Sequence, residues 1–185
     1  ASGKDTQLWM AMTMLDSSRA KSVLAKKTNV NVDDISNMII WGNHSPTMYP
    51  DIENAIVNGE SVSSVINDMS WVENEFLPTV QQRGKAVIDA RGASSATSAA
   101  KAALDTVMAC ENATDVNNSF SAAVESDGSY GVPEGLICGF PLITDSDGNV
   151  TIKQGLELSE FAKQKFQVSI DELSSEREAV KHLMK

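Results

Sequence analysis

The fold class is decided by residues 119–155, which contain the apolar runs Phe120-Ser121-Ala122-Ala123-Val124, Leu136-Ile137-Cys138-Gly139-Phe140, Leu142-Ile143 and Val150-Thr151-Ile152. The residues between the runs include Asp127-Gly128, Pro133-Glu134-Gly135 and Asp147-Gly148. Such residues favour the tight turns that join antiparallel strands. The stretch therefore predicts short strands paired in an antiparallel sheet.

Helical patterns surround this sheet. Residues 70–91 place apolar side chains at near-helical spacing, with Pro78 and Gly84 inside, which predicts a long helix that is kinked or broken near these two residues. Residues 159–185 predict two amphipathic helices separated near Ser169-Ile170-Asp171. The chain is therefore predicted to be an α+β domain, with mixed helices packed on an antiparallel sheet.

Residues 94–108 form an Ala-rich segment that predicts another helix, which Ser94 or Ser95 can cap. Its apolar stripe consists of Ala96, Ala99, Ala100, Ala103, Leu104 and Val107. Small side chains on such a face allow another helix or a ligand to approach closely.

The composition excludes several classes of protein. The chain has 185 residues, enough for one domain with a sizeable core, and a formal net charge of −10. This acidity opposes binding to nucleic acid or an anionic membrane surface. No stretch approaches the roughly 20 apolar residues that span a bilayer, and the opening residues lack the basic-then-apolar pattern of a secretory signal. We expect an intracellular, cytoplasmic protein. The two cysteines and two histidines are far apart in sequence, so no metal site is predicted.

Two short segments carry the residues best suited to chemistry. Asp16 and Arg19 are three positions apart in a predicted helix that Asp16 can cap, so they share one face. The run Met38-Ile39-Ile40-Trp41 predicts a buried strand that delivers His44 to its end. Together the three residues supply a proton-transfer base, a carboxylate to orient it and a cation for an anionic substrate. Taken singly, the Asp–Arg spacing also fits a helix cap with a solvated arginine, and the histidine also fits a structural role.

Five motifs resemble the carboxy-terminal domain of the lactate/malate dehydrogenase family, in its cytosolic-type malate branch. In chain order they are Met14-Leu15-Asp16-Ser17-Ser18-Arg19-Ala20, Trp41-Gly42-Asn43-His44-Ser45, Thr79-Val80-Gln81-Gln82-Arg83-Gly84, Ser94-Ser95-Ala96-Thr97-Ser98-Ala99-Ala100-Lys101-Ala102 and Tyr130-Gly131-Val132-Pro133. The resemblance covers nearly the whole chain after the first dozen residues. Ser17-Ser18 depart from the His-Asn usual in the malate branch, whereas the lactate branch also uses Ser there.

The resemblance implies a role for each candidate residue. His44 is the general acid/base, Asp16 is its carboxylate partner, and Arg19 binds the terminal carboxylate of the substrate. Ser98 lies beside substrate and nicotinamide. The implied protein is an NAD-dependent malate dehydrogenase of carboxylic acid metabolism that acts on a small dicarboxylate and forms a homodimer. A lactate dehydrogenase of the same family, or a non-catalytic interaction domain with this fold, is the alternative.

The cofactor is expected to be bound mainly outside this chain. No two of the eleven glycines lie two positions apart, so the G-x-G-x-x-G turn of a dinucleotide-binding domain is absent. We therefore expect residues 1–15 to be the end of a nucleotide-binding domain or the strand that connects it, and residues 16–185 to be the C-terminal catalytic and substrate-binding domain. The isolated residues are expected to show no useful turnover. The choices between malate and lactate, and between NAD and NADP, depend on the missing domain.

Overall fold

The computed structural model describes residues 9–183 and has an α+β architecture, as predicted. The helices are α1 (Met14–Thr28), α2 (Val62–Val65), α3 (Met69–Trp71), α4 (Leu77–Gln81), α5 (Arg83–Arg91), α6 (Thr97–Glu111) and α7 (Glu160–Val180). The strands are β1 (Ile35–Ser36), β2 (Ile40–Trp41), β3 (Tyr49–Pro50), β4 (Ile56–Val57), β5 (Glu60–Ser61), β6 (Phe120–Glu125), β7 (Ile137–Thr144) and β8 (Val150–Ile152). Residues 1–8, part of the predicted end of a nucleotide-binding domain, lie outside the described residues.

The predicted antiparallel sheet is present as β6, β7 and β8. Phe120 pairs with Leu142, and Leu142 pairs in turn with Ile152 on the other side. The two apolar runs on either side of Pro141 form one continuous strand, β7, rather than two. The remaining strands form a β2–β3 hairpin and a small antiparallel sheet of β1, β4 and β5.

Trp41, at the end of β2, lies at the centre of an aromatic cluster in the core. Its ring is fully buried, with the Tyr130 ring 4.7 Å away and the Phe166 ring of α7 5.1 Å away. Its indole N–H donates to the buried carboxylate of Asp51 at 2.9 Å. Because a buried indole with a satisfied N–H has little freedom to move, this cluster fixes the point at which the next loop begins.

Gly139 of β7 brings the sheet against the end of β2. Its N–H donates to the Gly42 carbonyl at 2.8 Å, and the Gly42 N–H donates back at 3.2 Å. A Cβ atom on Gly139 would lie 2.4 Å from the carbonyl oxygen of Ile40. Only glycine therefore allows the two backbones to approach this closely.

We expect Gly139→Ala to destabilise the chain by about 1–3 kcal/mol or more, because backbone atoms must shift to admit the methyl group. The free energy of unfolding in urea measures this. Gly84→Ala is the matched control, since its Cβ would meet nothing closer than an Arg19 nitrogen at 3.7 Å. That helical substitution is expected to be neutral or slightly stabilising. Equal stability of the two variants would contradict the packing described here.

Helix α1 begins three residues earlier than the sequence pattern predicted. Thr13 occupies the N-cap position, so the prediction that Asp16 caps the helix was wrong. Asp16 lies instead in the first turn, where its carboxylate contacts side chains rather than free backbone N–H groups. Asn29, in the left-handed conformation at φ 57°, ends the helix as expected of a residue that tolerates positive φ.

Helix α6 begins later than predicted. Its N-cap position is held by Ala96, so the prediction that Ser94 or Ser95 caps it was wrong. The Ser95 hydroxyl instead accepts a hydrogen bond from the guanidinium of Arg19 at 3.1 Å. Ser95 therefore makes a tertiary hydrogen bond to a charged side chain instead of capping the helix that follows it.

The predicted break within residues 70–91 is present. A π turn at Val72–Phe76 precedes α4, which carries Pro78 near its start, and α4 and α5 are separated at Gln82. The predicted break within residues 159–185 was wrong, because α7 runs unbroken from Glu160 to Val180.

Candidate active site

The site is built around one fully buried carboxylate, that of Asp16. Its Oδ1 accepts a hydrogen bond from Nη1 of Arg19 at 2.8 Å. Its Oδ2 lies 2.7 Å from Nδ1 of His44 and makes no other polar contact within the described residues. A buried carboxylate needs paired charge or hydrogen bonds to offset its lost hydration, and here two basic side chains provide them.

His44 stands on the loop after β2 and remains open to solvent, with 61% of its side chain exposed. The contact with Asp16 raises the pKa of the imidazole above its ordinary value, against opposing effects from partial burial and from the Arg19 charge. Because Nδ1 faces the carboxylate, Nε2 is the nitrogen left to meet a substrate. The arrangement is a proton-transfer group of defined orientation.

The backbone before His44 is set by contacts that the sequence pattern only partly revealed. Gly42 adopts a φ of +89°, which turns the chain away from the strand. The Asn43 side chain then accepts a hydrogen bond from the His44 N–H at 2.8 Å. From α1, the buried Ser17 hydroxyl donates to the carbonyl of Met38 at 2.6 Å. Ser17 thus ties α1 to the segment before the loop, and Asn43 fixes the loop backbone at His44 itself.

Arg19 is largely buried, with 14% of its side chain exposed. Its guanidinium is held from two sides, because Nη1 donates to Asp16 and Nη2 donates to the Ser95 hydroxyl. The remaining N–H groups can still pair with a planar carboxylate. The sequence pattern missed Ser95 as a site residue because it treated the serine as a helix cap.

Arg19 and Ser95 also line a groove of about 1180 Å³, which Ser98 enters from the first turn of α6. Ser98 is exposed, whereas His44 and Asp16 do not line the groove. Basic side chains outnumber acidic ones there, although the chain as a whole is acidic. The basic residues are Arg19, Lys21, Lys26, Lys27, Arg83 and Lys101, and the acidic residues are Asp33, Glu75 and Asp105. An anionic ligand would find local cations in this groove.

His182 is the other histidine of the chain. His182 lies exposed in the 3₁₀ turn Lys181–Leu183, remote in sequence from the catalytic candidates. Within residues 9–183 no three His, Cys, Asp or Glu side chains are grouped so as to hold a metal ion. The described helices include none with the length and apolar character needed to cross a bilayer.

Comparison with known proteins decides the family. Residues 13–184 match the family model described as lactate/malate dehydrogenase, alpha/beta C-terminal domain. The chain belongs to the lactate/malate dehydrogenase family. The resemblance predicted from the five motifs is thereby confirmed.

Within the lactate/malate dehydrogenase family, malate dehydrogenases are prominent among the relatives. The malate dehydrogenase of Cutibacterium acnes is 50% identical over 173 residues, which cover 94% of this chain and 52% of that protein. The malate dehydrogenase structure from Naegleria fowleri is 40% identical with a TM-score of 0.87, covering 95% of this chain and 53% of that one. The chain therefore spans about half the length of the relatives it matches.

A lactate dehydrogenase of the same family has a similar structure. The Trichomonas vaginalis enzyme in complex with NADH and oxamate is 28% identical with a TM-score of 0.86, covering 94% of this chain and 54% of that chain. The fold is thus shared by malate and lactate dehydrogenases. Identity is higher to the malate dehydrogenases described above.

Proposed function

We propose that this chain is the catalytic and substrate-binding domain of an NAD-dependent malate dehydrogenase. The observation that carries the proposal is the buried Asp16 carboxylate, which holds an imidazole on one oxygen and a guanidinium on the other. The 50% identity to a malate dehydrogenase supports malate as the substrate. Residues 1–15 are proposed to be the end of the nucleotide-binding domain, and residues 16–185 the catalytic domain, although α1 already begins at Met14.

Arg19 is proposed to bind one carboxylate of the substrate. Its guanidinium is already oriented by Asp16 and Ser95, so little side-chain freedom is lost when an anion binds. A planar guanidinium can meet a carboxylate with two parallel hydrogen bonds, which fixes the position of the adjacent carbon. Arg19 therefore sets where the hydroxyl-bearing carbon lies relative to His44.

His44 is proposed to move the proton. When the 2-hydroxy acid is oxidised, its hydroxyl gives a proton to Nε2 of the neutral imidazole, and the resulting imidazolium is stabilised by Asp16. In the reverse direction the imidazolium returns the proton to the 2-oxo oxygen. Asp16 faces Nδ1 in both directions and keeps the ring in one tautomer.

The described residues fit only the reactive end of the cofactor. Ser98 is exposed beside Arg19 and Ser95 in the basic groove, where it can meet a nicotinamide. The chain has no G-x-G-x-x-G turn to hold the pyrophosphate, so most cofactor contacts are assigned to the nucleotide-binding domain. When bound, NAD supplies the acceptor for the hydride that leaves the substrate carbon.

Asp16→Asn is expected to lower the pKa of His44, because the hydrogen-bonded carboxylate that favours the imidazolium is lost while the Arg19 charge remains. NMR titration of the chain measures this, with exposed His182 as an internal reference. In the parent, pairing stabilises the folded state fully below the unfolded pKa of about 6.5. That contribution disappears as the pH rises through the higher folded pKa, and the variant lacks it. An unchanged His44 titration would contradict the assignment.

A steady-state assay of the full-length protein tests the proposed function. We expect malate oxidation with NAD and oxaloacetate reduction with NADH, followed by the absorbance of the reduced cofactor. Pyruvate is the competing substrate, since the family also contains lactate dehydrogenases. A higher kcat/KM for pyruvate than for oxaloacetate would identify the protein as a lactate dehydrogenase. The absence of activity with both substrates would refute the proposed dehydrogenase function.

We also propose that the full-length enzyme is a cytoplasmic homodimer of carboxylic acid metabolism, contributing to the tricarboxylic acid cycle. An exposed apolar face on α6 supports contact with a further protein surface, because large apolar residues seldom form exposed patches without a partner. Its members are Leu104, Val107 and Met108, with 66%, 57% and 60% exposure. The molar mass of the full-length protein by light scattering tests the dimer.

A further inference from the structure

Helix α7 presses against the loop that carries His44. The Ser169 hydroxyl is fully buried and accepts a hydrogen bond from the Asn43 N–H at 2.7 Å. A Cβ atom on Gly42 would lie 2.1 Å from the same hydroxyl oxygen, so the helix and the loop backbone are in direct contact. The loop therefore has one polar attachment to α7 immediately before the imidazole.

A second attachment comes from Glu172, one turn further along α7. Its Oε2 accepts hydrogen bonds from the hydroxyls of Ser45 and Thr47, both at 2.5 Å, and from the Asn43 side-chain amide at 3.1 Å. These three loop residues flank His44 on both sides. The hydrogen bonds from the hydroxyls and the amide also lower the pKa of the Glu172 carboxyl, which keeps it an acceptor at neutral pH.

We propose that Glu172 is a positioning residue that holds the His44 loop in the geometry needed for proton transfer. The inference rests on the proposed role of His44. Glu172 does not contact the imidazole, and the charged groups that face the ring are Asp16 and Arg19, both from α1. Glu172 therefore acts through the position of the loop rather than through its own charge.

The contacts also allow two properties of Glu172 to be separated, its hydrogen-bond acceptor oxygen and its negative charge. Asn43, Ser45 and Thr47 all donate to the same Glu172 oxygen. Asn43 and Thr47 have further acceptors on α7, in Glu176 and Ser169, but this oxygen is the acceptor that all three share. Glu172→Gln can place its amide oxygen there, with weaker hydrogen bonds because the charge is lost. Glu172→Met has similar length and no comparable acceptor, so the loop loses the one oxygen that all three donors share and Ser45 loses its acceptor on α7.

The test is the pKa of His44, read by NMR in the 185-residue chain and in its variants. His182→Gln removes the other histidine and assigns the resonances. Glu172→Met is expected to lower the His44 pKa toward its ordinary value, because the ring no longer stays beside Asp16. Glu172→Gln is expected to retain most of the shift. Asp171→Asn removes a carboxylate from the neighbouring position, where it accepts a hydrogen bond from Gln167, and is expected to leave the His44 pKa unchanged.

In the full-length protein the same variants separate positioning from chemistry. Glu172→Met is expected to reduce kcat by roughly tenfold to a hundredfold, as small displacements of a catalytic group do, with little change in KM because Arg19 remains. If Glu172→Met fails to fold, Ser45→Ala/Thr47→Val removes the two hydroxyl donors from the loop side and should lower the His44 pKa similarly.

The outcomes are distinct. A folded Glu172→Met chain with the parental His44 pKa overturns the positioning role, as does a parental pKa in the double variant when Glu172→Met does not fold. An equal decrease of the His44 pKa in Asp171→Asn also overturns the positioning role, because the decrease would then result from the loss of a negative charge rather than from the loss of contacts to the loop. If Glu172→Met lowers the His44 pKa but the full-length parent shows no dehydrogenase activity, the positioning role of Glu172 is supported and only the proposed function is refuted.

Discussion

His44→Gln in the full-length protein is expected to reduce kcat by roughly 10²–10⁴-fold in both directions, the range lost with a general acid/base. Glutamine can hydrogen-bond to Asp16 but cannot accept a proton at neutral pH or return one. KM is expected to change little, because Arg19 and its contacts to Asp16 and Ser95 are untouched. Steady-state kinetics of malate oxidation and oxaloacetate reduction measure the effect.

The control for this experiment is His182→Gln, in the exposed 3₁₀ turn Lys181–Leu183. It removes the second histidine of the chain and is expected to leave kcat unchanged. Parental activity in a folded His44→Gln variant would refute proton transfer by His44 and would favour a non-catalytic interaction domain with this fold.

Arg19→Lys is expected to lower kcat/KM by roughly 10²–10³-fold although the positive charge is kept. The guanidinium reaches Asp16 with one nitrogen and Ser95 with another, which leaves it aligned for a carboxylate. An ammonium group is a single point donor, so it cannot keep both contacts and also bind the substrate with two parallel hydrogen bonds. This decrease in kcat/KM corresponds to a loss of about 3–4 kcal/mol in transition-state stabilisation, the size expected for such charge-assisted hydrogen bonds.

Arg91→Lys supplies the matched comparison, because Arg91 is exposed at the end of α5 and does not line the basic groove. Its kcat/KM is expected to equal that of the parent. Arg19→Lys should affect dicarboxylate and monocarboxylate substrates alike, since the guanidinium is assigned to the carboxylate common to both. An unchanged kcat/KM in Arg19→Lys would refute the proposal that Arg19 binds the substrate.

The fold was predictable where local residues determine the outcome. Turn residues placed the strands β6 to β8 correctly, and Asn29 ended α1 through its tolerance of positive φ. The prediction failed at α7, where Ser169 looked like part of a break between helices. Its hydroxyl in fact serves a contact 126 positions away, with the N–H of Asn43, and leaves the helix intact.

The candidate site was predictable in part for the same reason. Asp16, Arg19 and His44 belong to motifs that can be read in the sequence, and the structure brings these three side chains together. Ser95 and Glu172 could not be found this way, because their partners lie 76 or more positions away and no local pattern marks such contacts. The role of Ser98 stays a prediction, supported by its place in the groove.

The attachment of α7 to the His44 loop has a consequence for synthesis on the ribosome. Translation delivers Asp16, Arg19 and His44 early, but Ser169 and Glu172 emerge more than a hundred residues later. A nascent chain that stops before α7 has all three groups and lacks the helix that anchors the loop. The loop is therefore anchored only after α7 has been synthesised, and we expect products terminated before α7 to lack the proposed catalytic geometry.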